Sequence, residues 1–152
     1  MAGDITAANI TFFLSVPGVY TAAQQLQDFS VDDIFDVETV QSKEIQVGAD
    51  GGGVAGWLPR MTPQSIRFLP SSQSVNIFEA WQAAEDNGGP AVIYASGVVV
   101  YPSLGRRYTL LRGTLSKYQA APSAGKVLKT REFEITWLPQ LGGVAPILGT
   151  PL

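Results

Sequence analysis

The chain has 152 residues, enough for one domain, and is 45% hydrophobic but only 15% charged; this is too apolar for a disordered segment and lean in charge for a free monomer, so part of its surface is expected to be shared. It has no His and no Cys, which excludes zinc fingers, histidine triads, cysteine nucleophiles and disulfide scaffolds, and neither a catalytic residue nor a cofactor is expected. Net charge is −3, and 16 Gly with 10 Pro follow no fixed period, a turn-rich β composition; no apolar run approaches the ~18–20 residues of a membrane span and no basic-then-apolar leader opens the chain, so a soluble cytoplasmic protein is expected.

Ile10, Phe12, Leu14 and Val16 alternate with Thr11, Phe13 and Ser15 up to Pro17-Gly18, the period of two that defines a strand. Tyr20 to Phe29 is weakly patterned, and the acidic run through Asp28, Asp32, Asp33 and Asp36 reads as a solvated connection. The Gly and terminal Glu of a calcium loop are missing at the required offsets. Val37 to Val47, with Glu38 and Glu44 inside it, alternates again and ends at Gly48.

Gly51, Gly53 and Gly56 spell a formal G-x-G-x-x-G, but Trp57-Leu58-Pro59 follows, and no helix can start there to receive a pyrophosphate. The stretch around Asp50, Gly51, Gly52 and Gly53 is read as a flexible glycine hairpin leading past Trp57 to a strand through Ile66, Phe68 and Leu69. One helix is predicted between Ser71 and Asn87, about residues 73–87. Asn76 with Glu79 matches a capping box, Ile77, Phe78, Trp81 and Ala84 share a face, and Asn87-Gly88-Gly89-Pro90 supplies the stop. Being short, it must lay Phe78 and Trp81 on a sheet.

Three further strands are predicted: Val92 to Tyr101, Arg107 to Tyr118 after a hairpin at 102–105, and Val127 to Trp137. In the last, Phe133, Ile135 and Trp137 face one way and Glu132, Glu134 and Thr136 the other. Residues 1–138 form the β domain; 139–152, apolar and rich in Pro and Gly, are an extended C-terminal arm expected to lie along its own domain or a neighbouring subunit.

Charge is split along the chain. Residues 1–86 carry 11 acidic against three basic side chains, and 87–152 carry seven basic, Arg106, Arg107, Arg112, Lys117, Lys126, Lys129 and Arg131, against two acidic. Were the two halves opposite faces, copies would attract head to tail. No aromatic platform interleaves with Lys126, Lys129 and Arg131, so general nucleic-acid binding is not expected.

The order of these elements resembles the tail tube proteins of contractile-tailed bacteriophages over about residues 5–138. The resembling pieces are Ser15-Val16-Pro17-Gly18, Ile34-Phe35-Asp36-Val37, the glycine-rich connection before Trp57, Ile66-Arg67-Phe68-Leu69-Pro70-Ser71-Ser72, Ser123-Ala124-Gly125-Lys126 and Arg131-Glu132-Phe133-Glu134-Ile135. The resemblance implies a mainly β fold: an antiparallel β-sandwich or barrel-like subunit with one flanking helix, joined in hexameric rings stacked head to tail. It further implies a virion protein assembled in the host bacterial cytoplasm, with sheath, baseplate and tail-terminator proteins as partners, no membrane, and DNA passing through the lumen without specific binding.

On this reading the seven basic residues of 87–152 face ring-ring or sheath contacts. Asp28, Asp32, Asp33, Asp36, Glu38 and Glu44 meet them or line the bore, and Asp50, Gly51, Gly52, Gly53 and Trp57 form an inter-subunit loop. Alternatives of the same architecture are the inner tube of a bacterial contractile injection system and a tail-completion ring. An alternative of another class is a monomeric β-sandwich module binding, for example, carbohydrate on Trp57, Trp81 or Trp137.

Overall fold

Alternating apolar and polar side chains organise the computed structural model, which describes residues 10–29, 35–40, 43–49, 51–57, 61–88, 92–139 and 146–152. Ten strands and one helix follow in chain order: β1 (Thr11–Val16), β2 (Tyr20–Gln25), β3 (Phe35–Val37), β4 (Lys43–Val47), β5 (Gly53–Trp57), β6 (Thr62–Phe68), α1 (Val75–Asn87), β7 (Ala95–Tyr101), β8 (Arg106–Lys117), β9 (Arg131–Trp137) and β10 (Ile147–Pro151). Seven strands run in the order β2-β1-β7-β8-β9-β6-β3, and β10 joins them on β8, every pairing antiparallel. The fold is therefore mainly β, a sandwich-like antiparallel sheet with one helix.

The sheet, bent at bulges in β1, β7–β8 and β8–β9, encloses large inward side chains. Phe12, Leu14 and Val16 of β1, Ile66 and Phe68 of β6 and Phe133, Ile135 and Trp137 of β9 are all fully buried. The segment after β2 ties the two ends of the curl. Leu26 N donates to Phe12 O, Leu69 N donates to Asp28 O, and Phe29 bridges Phe68. Phe35 of β3 meets Phe12 edge-on with ring centroids 5.8 Å apart.

α1 lies over this core. Phe78 stacks on Phe133 at 4.8 Å, and Trp81 Nε1 donates to Ile93 O at 3.2 Å. The predicted capping box does not form: Ser74 occupies the N-cap without a side-chain cap bond, and Asn76 already lies inside the first turn. The serines of this segment serve tertiary structure instead. Ser72 Oγ donates to Gln27 O at 2.6 Å, and Gln27 N donates to Ser74 Oγ at 2.8 Å, fastening the helix start to the chain beyond β2.

Three strand expectations are corrected. Val37 to Val47 is not one strand but β3 and β4, separated at 38–42, because β3 stays on β6 while β4 leaves it. The glycine hairpin opens into β5, a strand of its own, before β6 begins. The stretch from Val127 begins as a loop, and β9 starts only at Arg131.

β8 is the longest strand and changes partners midway. Between the pairs Ala95↔Gly113 and Gly97↔Leu110, β7 advances two residues and β8 three, a bulge that places Arg112 at φ 52. Beyond the bulge β8 pairs with β9; before it β8 pairs with β10, while β7 flanks the other side. The C-terminal arm thus ends as a strand of its own subunit's sheet.

Candidate assembly surface

β4 and β5 form a two-stranded sheet separate from the main one. Their turn is closed by Gly48 N donating to Gly52 O and Gly51 N donating to Gly48 O, and Gly51 sits at φ +85, where a side chain would be strained. Ile45 and Val47, two apart and therefore on one face, are 71% and 73% exposed. A two-stranded ribbon is marginal in water by itself, and an apolar ribbon face is a surface to be covered. Of the predicted loop residues, Gly51 and Gly52 form this turn and Gly53 begins β5. Asp50 lies outside the described residues, as do the side chains of Glu44 and Trp57; the backbones of those two pair within the hairpin.

β2 is the second such feature. It pairs with β1 alone among the described strands, and its sequence Tyr-Thr-Ala-Ala-Gln-Gln carries neither charge nor proline. Monomeric proteins guard edge strands with those devices.

The basic residues, neighbours in sequence, are scattered in space. Arg106 and Arg107 begin β8, Arg106 lying 5.9 Å over the Tyr108 ring; Lys117 ends it, about 36 Å away at strand spacing. Lys126 and Lys129 are exposed on the loop beyond. Arg112 is engaged within the subunit, its Nη1 donating to Pro139 O at 2.9 Å and its guanidinium 5.0 Å over Tyr94. Arg131 corrects the expectation most sharply. It is 3% exposed, pairs with Glu79 at 3.1 Å, donates to Gln119 O at 2.6 Å and lies over Phe133, so it is not presented to another ring or to a sheath.

The acidic residues are equally dispersed. Asp28 is exposed where the chain crosses between sheet ends, at φ 57. Asp36 accepts from Arg67 at 3.0 Å. Glu38 borders an open depression shared with Lys117, Glu132 and Glu134, where Lys117 and Glu134 stand 3.6 Å apart. Asp32 and Asp33 lie outside the described residues. The two halves of the chain are not opposite faces, because β7, β8 and β9 are interleaved between β1 and β6.

Trp81 and Trp137 are both 0% exposed, and Trp137 Nε1 donates to Gln64 Oε1 at 2.9 Å inside the core. Neither can act as a stacking platform. Among the described residues no helix is long and apolar enough to cross a membrane.

The described fold is thus an antiparallel sandwich with an uncharged β2 edge and a β4–β5 ribbon that exposes Ile45 and Val47. The family model for tail fiber protein gp32 matches residues 3–140, and the chain belongs to that family, a group of phage tail proteins. In fold it is similar to a chain in the cryo-EM structure of the anti-feeding prophage baseplate, 6-fold symmetrised, with a TM-score of 0.54 and 9% identity over 99% of this chain and 98% of that one. No curated protein sequence matches it. The resemblance to phage tail proteins therefore holds at the level of the tail.

Proposed function

We propose that this protein is a ring-forming subunit of the phage tail's inner tube, of the kind stacked as hexameric rings to conduct DNA, with a structural and not a catalytic role. The observation that carries the reading is the β4–β5 ribbon, whose Ile45 and Val47 are uncovered on their own subunit and find cover on a neighbouring copy. The uncharged β2 edge supports it by offering a ladder for strand pairing between copies. The whole-length likeness to a chain of a six-fold baseplate is consistent with a place on the tail axis, with sheath, baseplate and terminator proteins as neighbours.

Size-exclusion chromatography and negative-stain microscopy of the concentrated protein test the reading. Hollow rods are the expected result. Isolated rings would replace stacking with a completion or baseplate ring, and single 16.2 kDa molecules would overturn the proposal.

A further inference from the structure

Arg106 and Arg107 are cations with no ion-pair partner among the described residues. Both are exposed, and their backbones are braced on two sides: Arg106 is paired with Tyr101 and Pro151, Arg107 with Val100 and Thr150. The turn before them is closed by Leu104 N donating to Tyr101 O and Gly105 N donating to Pro102 O. Two positive charges thus stand at a fixed place at the start of β8.

The opposite sign gathers beside the end of the same strand. Phe133 and Ile135 point into the core, so Glu132 and Glu134 of β9 point outward, and with Glu38, Lys117, Tyr118 and Gln119 they border an open depression of about 480 Å³. Asp36 and Arg67 stand on the same face, Arg67 reaching Asp36 at 3.0 Å and Glu132 at 3.8 Å. Four carboxylates against two cations leave this face at −2, the charge that two arginines match. Glu132 is 59% exposed and Glu38 is exposed as well, so both are open to a partner. Tyr118, 43% exposed, adds a ring face on which a guanidinium can lie. Lys126 and Lys129 of the following loop do not border the depression.

The subunit's own arginines are out of reach. Arg106 lies about 36 Å along β8 from Lys117, well beyond the roughly 8 Å over which exposed charges act at physiological salt. Copies set end to end along β8 bring the start of one strand beside the depression at the end of the next, and a contact between two unlike surfaces of this kind repeats along an axis.

We propose that Arg106 and Arg107 of one copy dock in the depression bordered by Glu38, Glu132 and Glu134 of the next, and that this is the stacking contact between rings. It supplies the receiving surface for the stacked-ring reading, on which it rests.

Charge reversal tests the docking. Arg106→Glu with Arg107→Glu, and separately Glu38→Lys with Glu132→Lys, which turns the face from −2 to +2, are each expected to form rings that do not stack, read as rod length in micrographs. Mixing the two kinds of ring is expected to restore rods, because the reversed arginine end then meets the reversed depression, and combining all four substitutions in one chain is expected to do the same. Normal rods from either variant alone, or rings of both that stay unstacked when mixed and when combined, overturn the docking and leave the rings standing; an unsubstituted protein that forms no rings overturns both. Rods of the unsubstituted protein are also expected to shorten from about 0.1 to about 1 M salt, over which the screening length falls from roughly 10 to roughly 3 Å, and rods indifferent to salt overturn the docking. Should a reversed chain fail to fold, Arg106→Gln with Arg107→Gln and Glu38→Gln with Glu132→Gln are each expected to shorten the rods, and rods of unchanged length overturn it.

Discussion

Gly113 shows how closely single positions are specified. A Cβ there would lie 2.5 Å from Trp137 Cζ3 and 2.8 Å from Ile135 Cγ2, so the indole packs onto bare backbone. Gly113→Ala is expected to cost about 1–3 kcal/mol by overpacking, read as a lower urea midpoint with the subunit still folding. Tyr101 governs behaviour in alkali. Burial first, and the neighbouring Tyr108 second, push its hydroxyl from 10.0 up to about 12. The folded state then keeps a proton that the unfolded chain has released, so this contribution is complete below pH 10 and lost as pH rises to about 12. With its half-exposure allowed for, the loss is on the order of 1–2 kcal/mol, and Tyr101→Phe is expected to flatten the urea midpoint across that window. That Trp137 and Trp81 belong to the core was legible from their apolar periodicity. That Arg131 is buried was not, because its partner Glu79 lies 52 positions earlier and only the β6-β9 pairing and the seat of α1 bring them together.

Among the elements, those with strong alternation or a clear helical face were legible: β1, the sheet-facing side of α1, and the inward row of β9. What the sequence hid was set by tertiary partners. The break between β3 and β4 falls where the face shared by Val37, Ile45 and Val47 carries the polar Thr39, Gln41 and Lys43, and the departure of β4 from the main sheet divides the run. The capping motif at Asn76 and Glu79 was overridden by the serines that hold Gln27. For the ribbon, Ile45→Ser with Val47→Ser is expected to leave the melting temperature of the single subunit unchanged, since both side chains stand in water, surface changes of this kind staying within about 0.5 kcal/mol. The same variant is expected to abolish assembly in sedimentation velocity; undiminished assembly would remove the ribbon from the interface.

At the level of the whole molecule, the charge division along the chain does not become a division of faces, because strand order mixes the halves. What remains is local, with Arg106 and Arg107 at one end of β8 and Lys117, Lys126 and Lys129 toward the other. Arg106→Glu with Arg107→Glu is therefore expected to leave the circular dichroism spectrum and single-subunit stability close to the original while ring stacking, seen as rod length in micrographs, is lost. Rods of normal length would exclude this end of β8 from axial contacts. β8 has a further consequence for motion. With β7 along one side as far as Gly113 and first β10, then β9, along the other, its ladder amides leave only when a neighbouring strand does. Deuterium uptake should be slowest in residues 113–115, paired with the well-buried β9, and measurably faster in 106–110, where the mostly exposed last strand is the shield on that flank. The longest strand would then be two kinetic bodies in one covalent run, parting at Arg112.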